Sequence, residues 1–168
     1  MSATPVEFQA DPTAFAPMTV TADASLPIGF ELEPVTKKIT LDKARIYEGW
    51  PARRSRHCDY DAAHATGLPA PNINGALVAG VLGELFIKFF GENYIGGTLS
   101  FNLTRQVQLN DELTARGVVK DKVAEADGTR LILDVWLENQ NGDKVLVGSA
   151  SGLAPAAGAA QQGGSPVG

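Results

Sequence analysis

A histidine and an aspartate separated by one residue, His57 and Asp59, lie just ahead of the most apolar segment of the chain. Imidazole changes its charge near neutral pH, so it is the side chain that most often transfers protons in enzymes. His57 is therefore predicted either as an acid/base group or as a histidine that caps a short helix. Asp59 is predicted either as the first acid of that helix or as the carboxylate that orients His57. His64, in the same helix, is expected to face solvent.

The apolar segment opens with Asn74 and Gly75, and its pattern predicts one helix over 74–90 that ends at Gly91. Asn74 is predicted as the cap of this helix. The first N–H groups of a helix lack partners within it, and with the helix dipole they favour a developing negative charge. The Gly75 amide is therefore a candidate donor to an oxyanion.

A helix this apolar must be wrapped by a sheet, since Glu84 and Lys88 are its only charged residues. Alternating polar and apolar residues predict a first strand near 35–39 and four more over 98–107, 113–120, 130–138 and 145–149. Turn sequences at 126–128 and 141–143 predict antiparallel hairpins. The predicted fold class is α+β, a single domain with an antiparallel sheet around a long central helix.

Composition and charge limit the classes of partner. The chain has 168 residues, enough for one domain with a sizeable core, and a formal net charge of −5. An acidic chain is a poor match for nucleic acid or for an anionic membrane. The single cysteine, Cys58, excludes an internal disulfide and fits a reducing compartment, and the N-terminal residues do not resemble a signal peptide. We therefore expect a cytoplasmic protein that binds neither nucleic acid nor membrane.

The candidate site residues resemble those of the MaoC-like hot-dog family, whose best-known members are (R)-specific enoyl-CoA hydratases. The family motif reads Asp-x-Asn-Pro-x-His-x-Asp, then a short helix containing alanine, then Pro-Ile-x-His-Gly at the start of the central helix. His57 and Asp59 match the His-x-Asp part, Ala63 falls in the short helix, and Pro71 and Gly75 match the last part. The resemblance implies that the predicted sheet and helix form a hot-dog domain.

The resemblance divides the chain into three parts. The hot-dog domain is expected over residues 28–153. Residues 1–27 are expected to form an N-terminal extension, and the uncharged residues 154–168 a flexible tail. One helix covers too little of a five-stranded sheet, so we expect a homodimer or larger assembly, or a hetero-oligomer with a second hot-dog subunit.

The function that the resemblance implies is a hydratase/dehydratase, a hydro-lyase without a cofactor, acting on a 2-enoyl or 3-hydroxyacyl thioester. In the family, the aspartate and the histidine orient a water, and the N–H of the helix-opening glycine holds the thioester oxygen. His57 would be the acid/base group and Gly75 the oxyanion donor. The chain departs from the family at Ala52, which occupies the position of the catalytic aspartate, and at Asn74, which replaces a histidine.

The missing aspartate leaves two other hypotheses open. The chain could be a non-catalytic hot-dog subunit that completes the site of an active partner. It could also be a thioesterase, which needs a carboxylate near the thioester carbonyl, with Asp59 and Asp61 as candidates. Tyr47 and Glu48 are candidate replacement acids.

Three arginines close to His57 are candidates for substrate binding: Arg53, Arg54 and Arg56. They are either a solvated loop or the group that holds the phosphates of coenzyme A or of a carrier protein, and Asn74 is a further candidate contact. No metal site is expected, because the histidines, Cys58 and Asp59 lack the spacing of metal ligands. No glycine motif for a nucleotide cofactor is present.

Overall fold

One antiparallel sheet and one long helix make up most of the described chain, which in this computed structural model covers residues 18–49 and 54–155. The elements in chain order are β1 (Val35–Lys38), α1 (Leu41–Glu48), α2 (Tyr60–Ala65), α3 (Gly75–Phe90), β2 (Thr98–Leu103), β3 (Glu112–Glu125), β4 (Gly128–Glu138) and β5 (Lys144–Pro155). The strand order is β1-β3-β4-β5-β2, and every neighbouring pair is antiparallel. The predicted α+β class is confirmed.

The sheet buries α3 because the helix presents apolar side chains around most of its surface. Its buried residues are Val78, Val81, Leu82, Leu85, Phe86, Phe89 and Phe90. Alternate residues of β3 and β4, such as Leu113 and Leu133, are fully buried, while their sequence neighbours are only partly covered. Complete burial of a side chain of this size contributes roughly 1.5–3 kcal/mol, so this helix–sheet contact is the main source of stability.

The predicted helix over 74–90 is present as α3, and polar groups define both its start and its attachment to the sheet. Asn74 is the N-cap, and its side-chain oxygen accepts a hydrogen bond from the Ala76 N–H at 2.9 Å. The Glu84 carboxylate lies 3.2 Å from Lys88 and 3.1 Å from Lys37 of β1. One carboxylate on the helix therefore also holds the edge strand β1.

Helix α1 is absent from the sequence-based prediction, because its apolar pattern is weak and Ala44 is its only buried residue. Local interactions specify it instead. The Thr40 hydroxyl caps its start by accepting from the Lys43 N–H at 3.3 Å, and Gly49 ends it with a φ of 98°. Such a left-handed residue after a helix is the usual position of a glycine.

Two strands differ from their predicted lengths. Strand β2 ends at Leu103 rather than near 107. The Val107 carbonyl accepts a hydrogen bond from the Ile73 N–H at 3.0 Å instead of from a neighbouring strand. Strand β5 continues to Pro155, two residues into the segment predicted as a tail, because it pairs with β4 as far as Gly128. Both differences depend on partners that are distant in sequence.

The described part of the predicted N-terminal extension packs against the end of α3. The Met18 N–H donates to the carbonyl of Lys88 at 3.3 Å, and the Ala22 N–H donates to that of Phe89 at 2.8 Å. These carbonyls lie in the last turn of the helix, where they have no partner within it. Met18 and Ala22 are both buried. The predictions for residues 1–17 and 156–168 concern positions outside the described residues.

Leu82→Asp is expected to abolish soluble folded protein. Leu82 is 0% exposed in the centre of α3, and an unpaired charge there has no partner or water. Ile87→Asp on the same helix is the matched control, since Ile87 is 54% exposed. The measurement is the soluble yield and the thermal midpoint by circular dichroism. A Leu82→Asp protein with a midpoint equal to that of the control would contradict the burial of α3.

Candidate functional site

A cleft of about 420 Å³ opens between the start of α3 and the chain that leaves β2. One wall consists of Arg56, His57, Asn72, Ile73, Gly75 and Val78, and the other of residues 103–107. The hydrogen bond from the Ile73 N–H to the Val107 carbonyl joins the two walls. Three of the predicted site residues, Arg56, His57 and Gly75, therefore line one cavity, although 18 positions separate His57 from Gly75.

The imidazole of His57 is held in one orientation by a backbone carbonyl. Its Nδ1 lies 2.7 Å from the Asn72 carbonyl oxygen. A carbonyl can only accept, so Nδ1 carries the proton and Nε2 carries the lone pair. Nε2 has no hydrogen-bond partner in the part of the chain that the structure describes. The arrangement suits a general base, which needs a fixed ring and an available nitrogen.

Gly75 brings a free backbone donor to the same cleft. It is the first residue of α3, and its N–H makes no hydrogen bond to another described residue. A Cβ on Gly75 would lie 2.6 Å from Cδ1 of Leu103, so any larger residue would have to displace this side chain of the opposite wall. The N–H can donate to an oxyanion at the positive end of the helix dipole.

Asp59 is placed at the start of α2 rather than beside the His57 ring. Its side chain accepts from the Ala62 N–H at 2.9 Å, which makes it the N-cap. It also accepts from Arg54 at 3.1 and 3.3 Å, and Arg54 contacts Asp61 at 2.8 Å. Arg54 lowers the pKa of Asp59, and the Ala62 N–H adds to this effect. Asp59, Arg54 and Asp61 thus satisfy one another, and none of them lines the cleft.

Asn74 turns away from the cleft toward Glu48, the last residue of α1. Its Nδ2 donates to the Glu48 carboxylate at 3.0 Å while its oxygen caps α3. The other Glu48 oxygen accepts from the Ser55 hydroxyl at 2.9 Å. Both oxygens of the predicted replacement acid are therefore hydrogen-bonded, and Glu48 does not line the cleft. Tyr47, the other candidate, is exposed and does not line it either.

The cationic side chains of the cleft are Arg56 and Arg105. Arg56 is exposed, and Arg105 lies 3.6 Å from Asp143 with a largely solvated guanidinium. The sequence pattern does not single out Arg105, because it falls in a stretch predicted as the end of a strand. It reaches the cleft because the regular strand ends at Leu103, and the Thr104 and Arg105 N–H groups then share the Val145 carbonyl.

The side-chain oxygen of Asn72 is buried beside His57 without a hydrogen-bond partner among the described residues. Burying an unpaired carbonyl costs roughly 1–3 kcal/mol. Asn72 lines the cleft, and its backbone carbonyl is the group that holds the His57 ring. The sequence pattern did not single out this residue, since Asn72 stands where the family motif has an isoleucine.

The remaining candidates lie away from the cleft. His64 is exposed, and its Nε2 contacts the Pro69 carbonyl at 3.0 Å. Cys58 is buried next to Ser55. Arg53 and Ala52 lie outside the described residues. Within 18–49 and 54–155, no group of three or more His, Cys, Asp or Glu side chains could hold a metal ion, and no helix is long and apolar enough to cross a membrane.

Asp59→Asn is expected to lower stability near neutral pH but not in acid. The folded pKa of Asp59 lies below the unfolded one, so its stabilisation is present above the unfolded value, about 3.9 for aspartate, and is lost as the pH falls through the folded pKa. Asparagine keeps an N-cap acceptor and loses only the charge. Urea unfolding of both proteins should show a difference near neutral pH that shrinks as the pH falls below the unfolded pKa of about 3.9 and is lost below the folded pKa. A difference independent of pH would contradict the Arg54 interaction.

Comparison with known proteins identifies the architecture. No family model matches the chain, and a search of curated proteins returns no match. Among solved structures, the chain is similar to the unliganded (R)-hydratase PhaJ1 of Pseudomonas aeruginosa, with 21% identity and a TM-score of 0.67 over 82% of this chain and 87% of that one.

Two further structures are similar over comparable lengths. A MaoC-like dehydratase from Rhodospirillum rubrum has 15% identity and a TM-score of 0.64, covering 78% of this chain and 94% of that one. The ChsH1-ChsH2 complex of Mycobacterium tuberculosis has 20% identity and a TM-score of 0.58, covering 81% and 99%. The predicted likeness to MaoC-like proteins is confirmed, and the chain has the hot-dog fold in the form found in (R)-hydratases and MaoC-like dehydratases.

Proposed function

We propose that this protein is a hydratase/dehydratase acting on a 2-enoyl or 3-hydroxyacyl thioester. The observation that carries the proposal is one cleft that holds both a fixed imidazole with an available Nε2 and a free N–H at the start of a helix. A proton-transfer group and an oxyanion donor are the two parts that such a reaction needs. The likeness to solved (R)-hydratase and dehydratase structures supports the same class.

The two groups account for each step of hydration. A water in the cleft gives a proton to Nε2 of His57 as its oxygen bonds to C3 of the enoyl group. The π electrons of the C2–C3 bond move toward the thioester oxygen, where the Gly75 N–H stabilises the enolate. The imidazolium then returns a proton to C2, and the product is the 3-hydroxyacyl thioester. Dehydration follows the same steps in reverse.

Arg56 and Arg105 are proposed to bind the phosphates of the thioester carrier, either coenzyme A or a carrier protein. Both guanidinium groups lie on the cleft and are exposed. A guanidinium can bind phosphate oxygens with two hydrogen bonds. Arg54 is a weaker candidate than the sequence implies, because its Nε and Nη2 already bind Asp59 and Asp61 and it does not line the cleft. The role of Arg53 stays a prediction.

A thioesterase finds less support in the geometry. Its two candidate carboxylates, Asp59 and Asp61, both bind Arg54 and lie outside the cleft.

The predicted cytoplasmic location, and the expectation that the protein binds neither nucleic acid nor membrane, stay predictions.

The second candidate function is that of a non-catalytic subunit that completes the site of a hot-dog partner. Ala52 favours it, because the family carboxylate is missing at that position. A solved structure similar to this chain is a complex of two different proteins, ChsH1 and ChsH2.

Ala52→Asp separates the two candidates. The change should raise the activity of a site that lacks only this carboxylate, and it should have no effect in a chain that serves a partner.

We also propose that the chain forms a dimer along β2. Among the described residues this strand pairs with β5 alone, so its other edge has no backbone partner within 18–49 and 54–155. Phe101 and Leu103 on this strand are 37% and 48% exposed. A free edge with apolar side chains is a site of association with another chain. Because Leu103 also lines the cleft, a second copy at this edge would lie next to the proposed active site.

His57→Ala is expected to lower kcat for hydration of crotonyl-CoA about 10²-fold or more, since the variant has no proton-transfer group. The fold should remain, because His57 is only partly buried in a loop. His64→Ala is the matched control, as the other histidine of the chain lies away from the cleft. Steady-state kinetics and thermal midpoints decide the matter. Equal kcat for His57→Ala and the control would overturn the hydratase proposal.

Phe101→Glu is expected to shift the protein from dimer to monomer. A charge on the free edge of β2 opposes strand pairing between chains. Val123→Glu is the control, since Val123 is 46% exposed on a different strand. Light scattering should give at least twice the chain mass of 17.7 kDa for the wild type and the control. A wild-type particle of one chain mass at micromolar concentration would contradict the dimer.

A further inference from the structure

Glu48 breaks a local rule of helix chemistry at a position next to the proposed active site. It is the last residue of α1, where the negative end of the helix dipole disfavours a carboxylate. It is partly buried and forms no ion pair with a described lysine or arginine. A residue that contradicts its local environment is expected to serve a function elsewhere in the fold.

The two carboxylate oxygens of Glu48 accept hydrogen bonds from two different parts of the site. One oxygen accepts from Nδ2 of Asn74 in the helix entry, residues 72–75. The other accepts from the hydroxyl of Ser55 in the His57 turn, residues 55–58. The Ser55 oxygen in turn accepts from the backbone N–H of His57 at 3.1 Å. One side chain therefore links the two segments that supply the acid/base group and the oxyanion donor.

We infer that Glu48 is the positioning residue of this site, an inference that rests on the proposed hydratase function. It holds the His57 turn and the helix entry at a fixed separation. Nε2 of His57 can then act at the enoyl carbons of a thioester while the Gly75 N–H binds its carbonyl oxygen. Small misplacements of such groups cost large factors in rate. Glu48 itself touches neither cleft nor substrate, so it acts through Ser55 and Asn74.

Glu48 does not take the place of the carboxylate that the family motif has and this chain lacks, because it does not line the cleft. Glu48 comes from the end of α1, four positions before Ala52. Both of its carboxylate oxygens accept hydrogen bonds from within the protein, so Glu48 orders the site and does not transfer protons. A single histidine then performs both proton steps, as in the hydration described above.

Glu48→Ala and Glu48→Gln test the inference, with Glu92→Gln as the matched control. Glu92 is exposed and makes no side-chain hydrogen bond or ion pair with a described residue, so its variant loses the same charge away from the site. Loss of a residue that orients a functional group typically costs about 10–100-fold. Glu48→Ala should lower kcat for crotonyl-CoA hydration by that factor while KM changes less. Glu48→Gln should fall between Glu48→Ala and wild type, because glutamine keeps one acceptor oxygen.

The second measurement does not depend on turnover. Nitrogen NMR of the His57 ring at alkaline pH reports which ring nitrogen carries the proton. The wild type and Glu92→Gln should show the Nδ1–H form. Glu48→Ala should show a mixture of both forms, since the His57 turn is then no longer held at a fixed separation from the Asn72 carbonyl that selects this form. If Glu48→Ala does not fold, the same comparison is made with Glu48→Gln.

The outcomes separate the two proposals. If the wild type turns over and Glu48→Ala changes neither kcat nor the ring tautomer, the positioning role is overturned and the hydratase function remains. No turnover by the wild type, but a tautomer that depends on Glu48, overturns the hydratase function and supports the positioning role. An equal loss in Glu92→Gln would also overturn the inference, because it would show a general effect of charge.

Discussion

The burial of α3 by the sheet is the constraint on which the rest of the structure depends. A 16-residue helix with so few charges cannot remain in water, and five antiparallel strands are needed to cover it. Its first turn lies beside the point where β2 ends, since Gly75 and Leu103 line the same cleft. The cleft forms where these two chain segments meet.

The cleft lies at the start of α3, where backbone N–H groups that have no partner within the helix are available to a ligand. A buried helix has free N–H groups only at its start, and this start opens into the cleft at Gly75. The chain that continues the opposite wall cannot stay in the sheet, since Val107 pairs with Ile73 instead. Backbone groups thus form much of the site, and the orientation of His57 also depends on a carbonyl, that of Asn72.

Carboxylates near the site have separate roles that their sequence positions do not reveal. Asp59 accepts a hydrogen bond from the free Ala62 N–H at the start of α2, and its negative charge is paired with Arg54. Glu48 accepts from Ser55 and Asn74, and so adds a second link between two loops that the contact of His57 with the Asn72 carbonyl also joins. Each carboxylate is therefore occupied in holding the backbone. This leaves the imidazole as the group in the cleft that is suited to exchange protons.

The sequence alone determined the class of the fold, the central helix and three of the residues that line the cleft, Arg56, His57 and Gly75. Periodicity and helix-capping residues are local signals, so they are legible along the chain. Only the tertiary structure decided that Asn72 holds the His57 ring, that Arg105 reaches the cleft and that Glu48 links its two sides. These roles depend on hydrogen bonds and chain reversals between segments far apart in sequence. Local patterns carry no information about such distances, because they arise only when the sheet closes around α3.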